Sequence, residues 1–229
     1  MAHRRDVNAM TGLIKAALAL VLALASGCTL MLSGSAMDGR VVDSETGAPI
    51  PGALVIVEWK GDIGGPVQSS QVCFHLEVVR TDEEGRYHVP AWHRRPAADW
   101  EGGFFGVRNV EVRTRTYKAG YLAAVGSSDT DVLRIKPFNG SGTERIAYLR
   151  YTGTPGCGRE DGSLPNELAL WTDICSETKG LLRNQGPTAA PSDMAFLREI
   201  DAHIESILSG SAQQRYAGAR NRQTTCSAM

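Results

Sequence analysis

Three histidines lie close together in the chain, His75, His88 and His93, and the last is followed directly by Arg94 and Arg95. A neutral imidazole can ligate a metal or act as a general base near neutral pH. His88 and His93 could therefore approach a metal or an anion at a sheet edge. Exposed strand and loop histidines would give the same sequence, because a working constellation needs a defined mutual geometry. Trp92 and Trp100 bracket the segment HRRPAAD. An aromatic and basic loop can stack on sugars or peptides, and a loop packed by its own indoles reads identically. The acids beside glycine in TDEEG and EDGS lack calcium-loop spacing and suit solvated turns. Among the five cysteines there is no CxxC and no Cys/His zinc pattern. No cofactor is expected.

One cysteine has a different chemistry available. Arg4, Arg5 and Lys15 precede the small apolar run AALALVLALASGC, the charge and h-region pattern of a secretory signal. Ala25, Ser26, Gly27 and Cys28 are similar to a bacterial lipobox, with Ala25 where Leu is more usual. Such a site implies cleavage before Cys28 and acylation of its sulfur and new amino group, and several acyl chains anchor firmly where one does not. Two other fates are open for the same stretch. No charge falls between Lys15 and Asp38, a length that can span a bilayer uncleaved, and plain cleavage with release also fits. Small residues immediately ahead of a cysteine favour lipoprotein processing.

Export would also govern the remaining cysteines, Cys73, Cys157, Cys175 and Cys226. An oxidising compartment favours bridges. Four cysteines allow three full pairings, of which Cys157–Cys175 is preferred because it ties a glycine-rich loop to the next helix. The formal net charge of -1 gives no electrostatic case for nucleic acid. Loss of residues 1–27 removes three basic residues and one acid, which leaves the mature chain slightly acidic.

Residues 28–37 read as a tether between membrane and domain. Strand signals then begin: RVVD alternates, and ALVIVEW is apolar on both faces, as in a central sandwich strand. Turn doublets, Thr46-Gly47 and Pro51-Gly52, separate them. CFHLEVVRTDEEGRYHVPAW reads as a hairpin in which Asp82 accepts backbone N–H bonds and Gly85 takes a positive φ. NVEVRTRTY sets Val110, Val112, Thr114 and Thr116 against Glu111, Arg113 and Arg115, a half-exposed strand. Leu133 and Ile135 point inward. After Phe138 the period becomes helical. Ser141 with Glu144 makes a capping box; Leu168, Trp171, Ile174 or Cys175, Thr178 and Leu182 form one stripe, and Phe196, Ile200, Ile204 and Ile207 another. The expected layout is a β-sandwich over 38–138, a small helical extension over 139–209, and a loose polar tail over 210–229.

GRVVDSETGAPIPGALVIV, then TDEEGRYHVP, then YKAGY resemble a carboxypeptidase regulatory-like domain, a family with a transthyretin-like (Ig-like), mainly β, seven-stranded sandwich. The resemblance covers about residues 38–138, with a longer insert at 91–106, and leaves the helical part outside. It implies a fold and says little about function, since the same module accompanies peptidases, transporters and surface lipoproteins.

Enzymes akin to that module need residues that are missing here. None of the histidines starts the His-x-x-Glu pair of a zinc carboxypeptidase. The first-strand catalytic histidine of hydroxyisourate hydrolases falls at Arg40, so that position holds no general base, and the C-terminal Tyr-Arg-Gly-Ser of those enzymes is absent. The first strand also has no Lys for an isopeptide cross-link. The expectation is thus a non-catalytic envelope lipoprotein, acylated at Cys28, whose partners are the membrane and an envelope protein or glycan. Thr29 after the acylated cysteine suggests the outer membrane by resemblance to Gram-negative lipoproteins. The alternative is a periplasmic hydrolase or metal-binding protein that uses His75, His88 and His93.

Overall fold

A computed structural model of the chain describes residues 32–64, 69–94, 107–127, 131–152 and 164–211, together with Cys226. The signal-like stretch, Cys28, Arg95, Trp100 and Cys157 lie outside the described residues. Strands β1 (Leu32–Gly34), β2 (Met37–Asp43), β3 (Leu54–Gly64), β4 (Ser69–Arg80), β5 (Arg86–Val89), β6 (Trp92–Arg94), β7 (Arg108–Tyr117), β8 (Tyr121–Leu122), β9 (Val125–Ser127) and β10 (Val132–Pro137) precede helices α1 (Gly142–Thr152), α2 (Leu164–Gln185) and α3 (Pro191–Ser211).

Two four-stranded sheets face each other, ordered β5-β2-β10-β8 and β4-β3-β7-β9, with a small β1-β6 ribbon beside them. The mainly β sandwich expected from the alternating runs is present. Its facing sheets carry eight strands among the described residues, because the chain after the glycine at 120 forms two short ribs, β8 and β9, instead of one strand. β10 pairs with β2 in parallel, while β5 joins β2 antiparallel. The core between the sheets holds Val41, Tyr87, Val89, Leu133 and Ile135 from one side, and Val55, Val57, Trp59 and Phe74 from the other.

The turn chemistry has a local cause at each position. Asp43 Oδ1 accepts from the backbone N–H groups of Glu45 and Thr46 and from the Thr46 hydroxyl. Those backbone bonds hold its carboxyl below the usual range. Asp82 Oδ1 accepts from Glu84 N and Arg86 N, as the hairpin reading requires. Gly85 sits at φ +72°, and a Cβ there would come within 2.6 Å of the Val41 carbonyl. Gly39 lies opposite Tyr87 in the register, and its missing side chain leaves room for the Tyr87 ring. The first-strand glycine and the hairpin tyrosine therefore form one packing unit.

The outer side of β3 and β4 is not solvent. Leu54, Ile56 and Leu76 belong to a second core with Ile146, Leu149, Leu170, Trp171, Ile174, Phe196, Ile200 and Ile204. The helical extension accordingly packs on this face as a third layer. At the start of α1, Glu144 Oε2 accepts from Ser141 N and Oγ, and Ser141 Oγ accepts from Glu144 N. Trp171 of α2 stacks on His203 of α3 at 4.4 Å between ring centroids. Among the described residues no helix is long and apolar enough to cross a membrane.

Three boundaries differ from expectation. β1 lies inside the stretch assigned to the tether, because Leu32 is buried in the sandwich core. α3 runs to Ser211, and beyond it Cys226 is fully buried and bonded to Cys175 across a sequence separation of 51. This replaces the expected Cys157–Cys175 pair: Cys175 faces the helical core, and Cys226 is the cysteine that reaches it. Removing the bridge with Cys226→Ser frees a loop of 51 residues. By the loop-entropy relation that change lowers stability by up to about 4 kcal/mol, read as a reduced urea midpoint under non-reducing conditions. An unchanged midpoint would show that the C-terminal segment contributes nothing to the helical layer.

Candidate functional site

The three histidines are placed separately. His75 lies on β4 opposite Trp59, next to the register shift that leaves Phe74 without a cross-strand partner, and its ring lies against the sandwich core residue Trp92. It is 8% exposed. Its Nε2 is 3.0 Å from Glu77 Oε1, and its ring stacks on Trp92 with centroids 4.0 Å apart. Trp59 meets the Trp92 ring edge-on at 5.4 Å. Trp92 is thus a core residue of β6 and not a loop platform. His88, on β5, is exposed, with Nδ1 2.7 Å from Asp38 Oδ1 across the strand pair. His93 is exposed on β6, opposite Ser33. Each therefore has its own surroundings, and among the described residues no group of three or more His, Cys, Asp or Glu is arranged to hold a metal.

The dense polar chemistry lies elsewhere, where the helices meet the sandwich. Arg145 on α1 is 2% exposed. Its Nε donates to Glu177 Oε1 at 2.8 Å and its Nη2 to Glu177 Oε2 at 3.2 Å. The same guanidinium donates to the carbonyls of Tyr121 and Lys118, and it lies 5.3 Å from the Phe138 ring centroid and 5.2 Å from that of Tyr148. Glu177, on α2, accepts in addition from the Tyr117 hydroxyl at 2.9 Å and from Gly120 N at 2.8 Å. The Tyr148 hydroxyl accepts from Ala123 N. One carboxylate and one guanidinium therefore clamp the β7–β8 turn to two helices. Sequence reasoning missed both residues. Arg145 sits in a polar-looking helix start, and Glu177 lies on the flank of an apolar stripe. The one available signal was the YKAGY turn, whose backbone groups they occupy.

A second buried carboxylate, Glu58 on β3, is 1% exposed. It accepts from Arg115 Nη2 at 2.8 Å and pairs with Lys60 Nζ at 3.2 Å. The face of β7 expected to meet solvent is thus half covered at Arg115 and covered by helix α2 at Tyr117. These groups are satisfied by one another in fixed geometry. That is the condition for carrying charge inside a protein, and it leaves them committed to holding layers together.

Comparison with known proteins adds nothing to the strand registers. No family model matches the chain, and no curated protein matches it. Among solved structures, a streptococcal ancillary pilin aligns with a TM-score of 0.27 and 13% identity over 46% of this chain and 30% of the pilin. A 9R-lipoxygenase from Cyanothece PCC8801 aligns with a TM-score of 0.23 and 15% identity over 73% of this chain and 26% of the enzyme. The chain spans less than a third of either protein. The sandwich assignment rests on the strand registers described above.

Two outcomes follow from the clamp. Arg145→Met or Glu177→Gln strands one buried charge and costs about 3–5 kcal/mol, seen as a lowered urea midpoint. The double variant Arg145→Met/Glu177→Leu loses much less than the sum, and additive losses would show that the two groups act separately. Burial, and after it the Glu177 carboxylate, push the Tyr117 phenol far above its ordinary value of 10.0. A raised pKa contributes stability in full below the unfolded value and loses it as pH rises above that value. Stability should therefore fall above about pH 10, with Tyr117 contributing about 1.4 kcal/mol per pH unit. Tyr87, raised by burial, Asp131 and Asp38, adds to the same fall. Tyr117→Phe should make the alkaline slope shallower by one proton, and an identical slope would remove the phenol from the account.

Proposed function

We propose that this chain is a non-catalytic, exported lipoprotein in which a carboxypeptidase regulatory-like sandwich serves as a contact module for an envelope protein or glycan. The observation that carries the proposal is the disulfide between Cys175 and Cys226, both fully buried. Structural bridges of this kind persist in oxidising compartments and are rare in the cytosol. Cys73 is likewise disulfide-bonded. The sequence context of Cys28 supplies the route out of the cell and the anchor. Cys28 lies four residues before Leu32, the first residue of β1.

The buried carboxylates and guanidinium support a contact role over a catalytic one. Glu58, Arg145 and Glu177 are consumed in mutual pairing, whereas a general acid or base needs an open approach to substrate. The histidine-based alternative draws no support from a pair as exposed as His88 and Asp38, with side chains 62% and 78% exposed.

The cysteine count gives a discriminating test. With Cys175 and Cys226 joined, only Cys28 and Cys157 remain as partners for Cys73. Acylation of Cys28 therefore requires a Cys73–Cys157 bridge. Fatty-acid labelling in cells should mark the wild type and not Cys28→Ala. Peptide mapping under non-reducing conditions should recover Cys73 joined to Cys157. A Cys28–Cys73 peptide, or membrane retention of unlabelled Cys28→Ala, would defeat the lipoprotein assignment.

A further inference from the structure

The two outer faces of the sandwich differ in kind. Helices cover the outer side of β3 and β4. Among the described residues no helix covers the outer side of β5, β2 and β10; Val42 is buried there, and the exposed side chains of this face include four cations. Arg40 on β2, Arg86 on β5, and Arg134 and Lys136 on β10 are all exposed there. Arg40 stands directly opposite Arg86 in the antiparallel register, and Val132 stands beside Arg40 in the parallel one. Val132 is 39% exposed, which places an apolar side chain in the middle of the basic field.

None of the four cations is in an ion pair among the described residues; Arg40 Nε donates to a backbone carbonyl, that of Glu84. Like charges directly opposite each other on a sheet oppose pairing, so this face carries an electrostatic cost that an anionic partner would relieve. Exposed acids border this face at its ends. Asp38 is bonded to His88, Asp131 lies at the start of β10, and Asp82, Glu83 and Glu84 lie in the turn beyond Arg86, with Asp82 folded back onto Glu84 N and Arg86 N.

We infer that this basic face lies flat on anionic lipid headgroups, which turns the helical layer away from the bilayer. The inference rests on the anchoring of Cys28 proposed above. The four residue steps from Cys28 to Leu32 reach at most about 14 Å, and β2 starts at Met37, so the sheet that carries the cations is held close to the acyl chains. Cations near an anionic membrane surface each add attraction that salt screens. Arg and Lys spread over three adjacent strands match a plane of charge better than they match one small ligand.

The test uses the full chain purified from membranes and reconstituted into vesicles of phosphatidylcholine, alone or mixed with phosphatidylglycerol. Arginine and lysine modification rates are read by mass spectrometry. On anionic vesicles Arg40, Arg86, Arg134 and Lys136 should slow at least about tenfold, and high salt should restore them. Arg183 on α2 and Arg198 on α3, both exposed, should be unaffected. Arg134→Glu/Lys136→Glu should free Arg40 and Arg86 without changing the urea midpoint.

Rates at the four residues equal to those in phosphatidylcholine vesicles overturn the inference. So does slowing of Arg183 and Arg198 instead, or slowing of the four by a soluble acidic polysaccharide and not by vesicles. A chain that shows the four protected on anionic vesicles yet washes off at high salt upholds the face and removes the lipid anchor. The two proposals therefore fail in different ways.

Discussion

Strand β3 places Ala53, Val55, Val57 and Trp59 against one core and Leu54 and Ile56 against another, and a strand that is apolar on both faces has to be covered on both. The second sheet covers one side. On the other, Leu54, Ile56 and Leu76 of β3 and β4 need the helices. Each such side chain is worth roughly 1.5–3 kcal/mol when buried, so the three together approach the whole net stability of an ordinary domain. Without its third layer the sandwich is a sheet with an exposed apolar patch, which invites aggregation. The helices depend on the sheet in turn, because their stripes converge on that same patch.

Apolar burial fixes that the layers meet; it does not fix where. The orientation comes from the charged and hydrogen-bonded groups at the junction. Glu177 has four donors around it, from Arg145, Tyr117 and Gly120, and Arg145 reaches two backbone carbonyls of the same turn. A helix shifted by one turn would leave a carboxylate and a guanidinium buried without partners, at a cost of several kcal/mol. Arg80 and Asp173, 2.9 Å apart and partly exposed, join β4 to α2 nearby and are worth far less. The buried pair therefore acts as the register pin of the assembly, with the Cys175–Cys226 bridge fastening Cys226 to the same layer.

What could be read from sequence divides along these physical lines. Local chemistry was legible. Asp43 and Asp82 in their turns, Gly85 at positive φ, and Ser141 with Glu144 at a helix start each act over a few residues, so the pattern and its cause share one window. The inward positions Leu133 and Ile135 and the stripes on α2 and α3 were legible through their period. Long-range partners were not. ALVIVEW announced burial on both faces, but nothing in it said that the second cover would be helical. Trp92 was read with its loop neighbours because only the fold brings it onto His75 and Trp59. Arg145 and Glu177 carry no local motif at all, and the pairing of Cys175 depended on a segment that polar composition made look loose.

The motif that suggested a family is explained by turn hydrogen bonds, backbone conformation and packing. Gly39 is small because Tyr87 lies over it, and Gly85 is small because the Val41 carbonyl is next to it; both would be required whatever the protein does. Residues so determined cannot report a ligand. Information about partners has to come from positions that the fold leaves free, which on a sandwich are the outward residues of its sheets. On one outer face those positions were spent on recruiting helices. On the other, the exposed positions set Arg40 opposite Arg86, with Arg134 on the neighbouring strand. A repulsive choice at exposed positions is the kind of local conflict that marks function rather than stability.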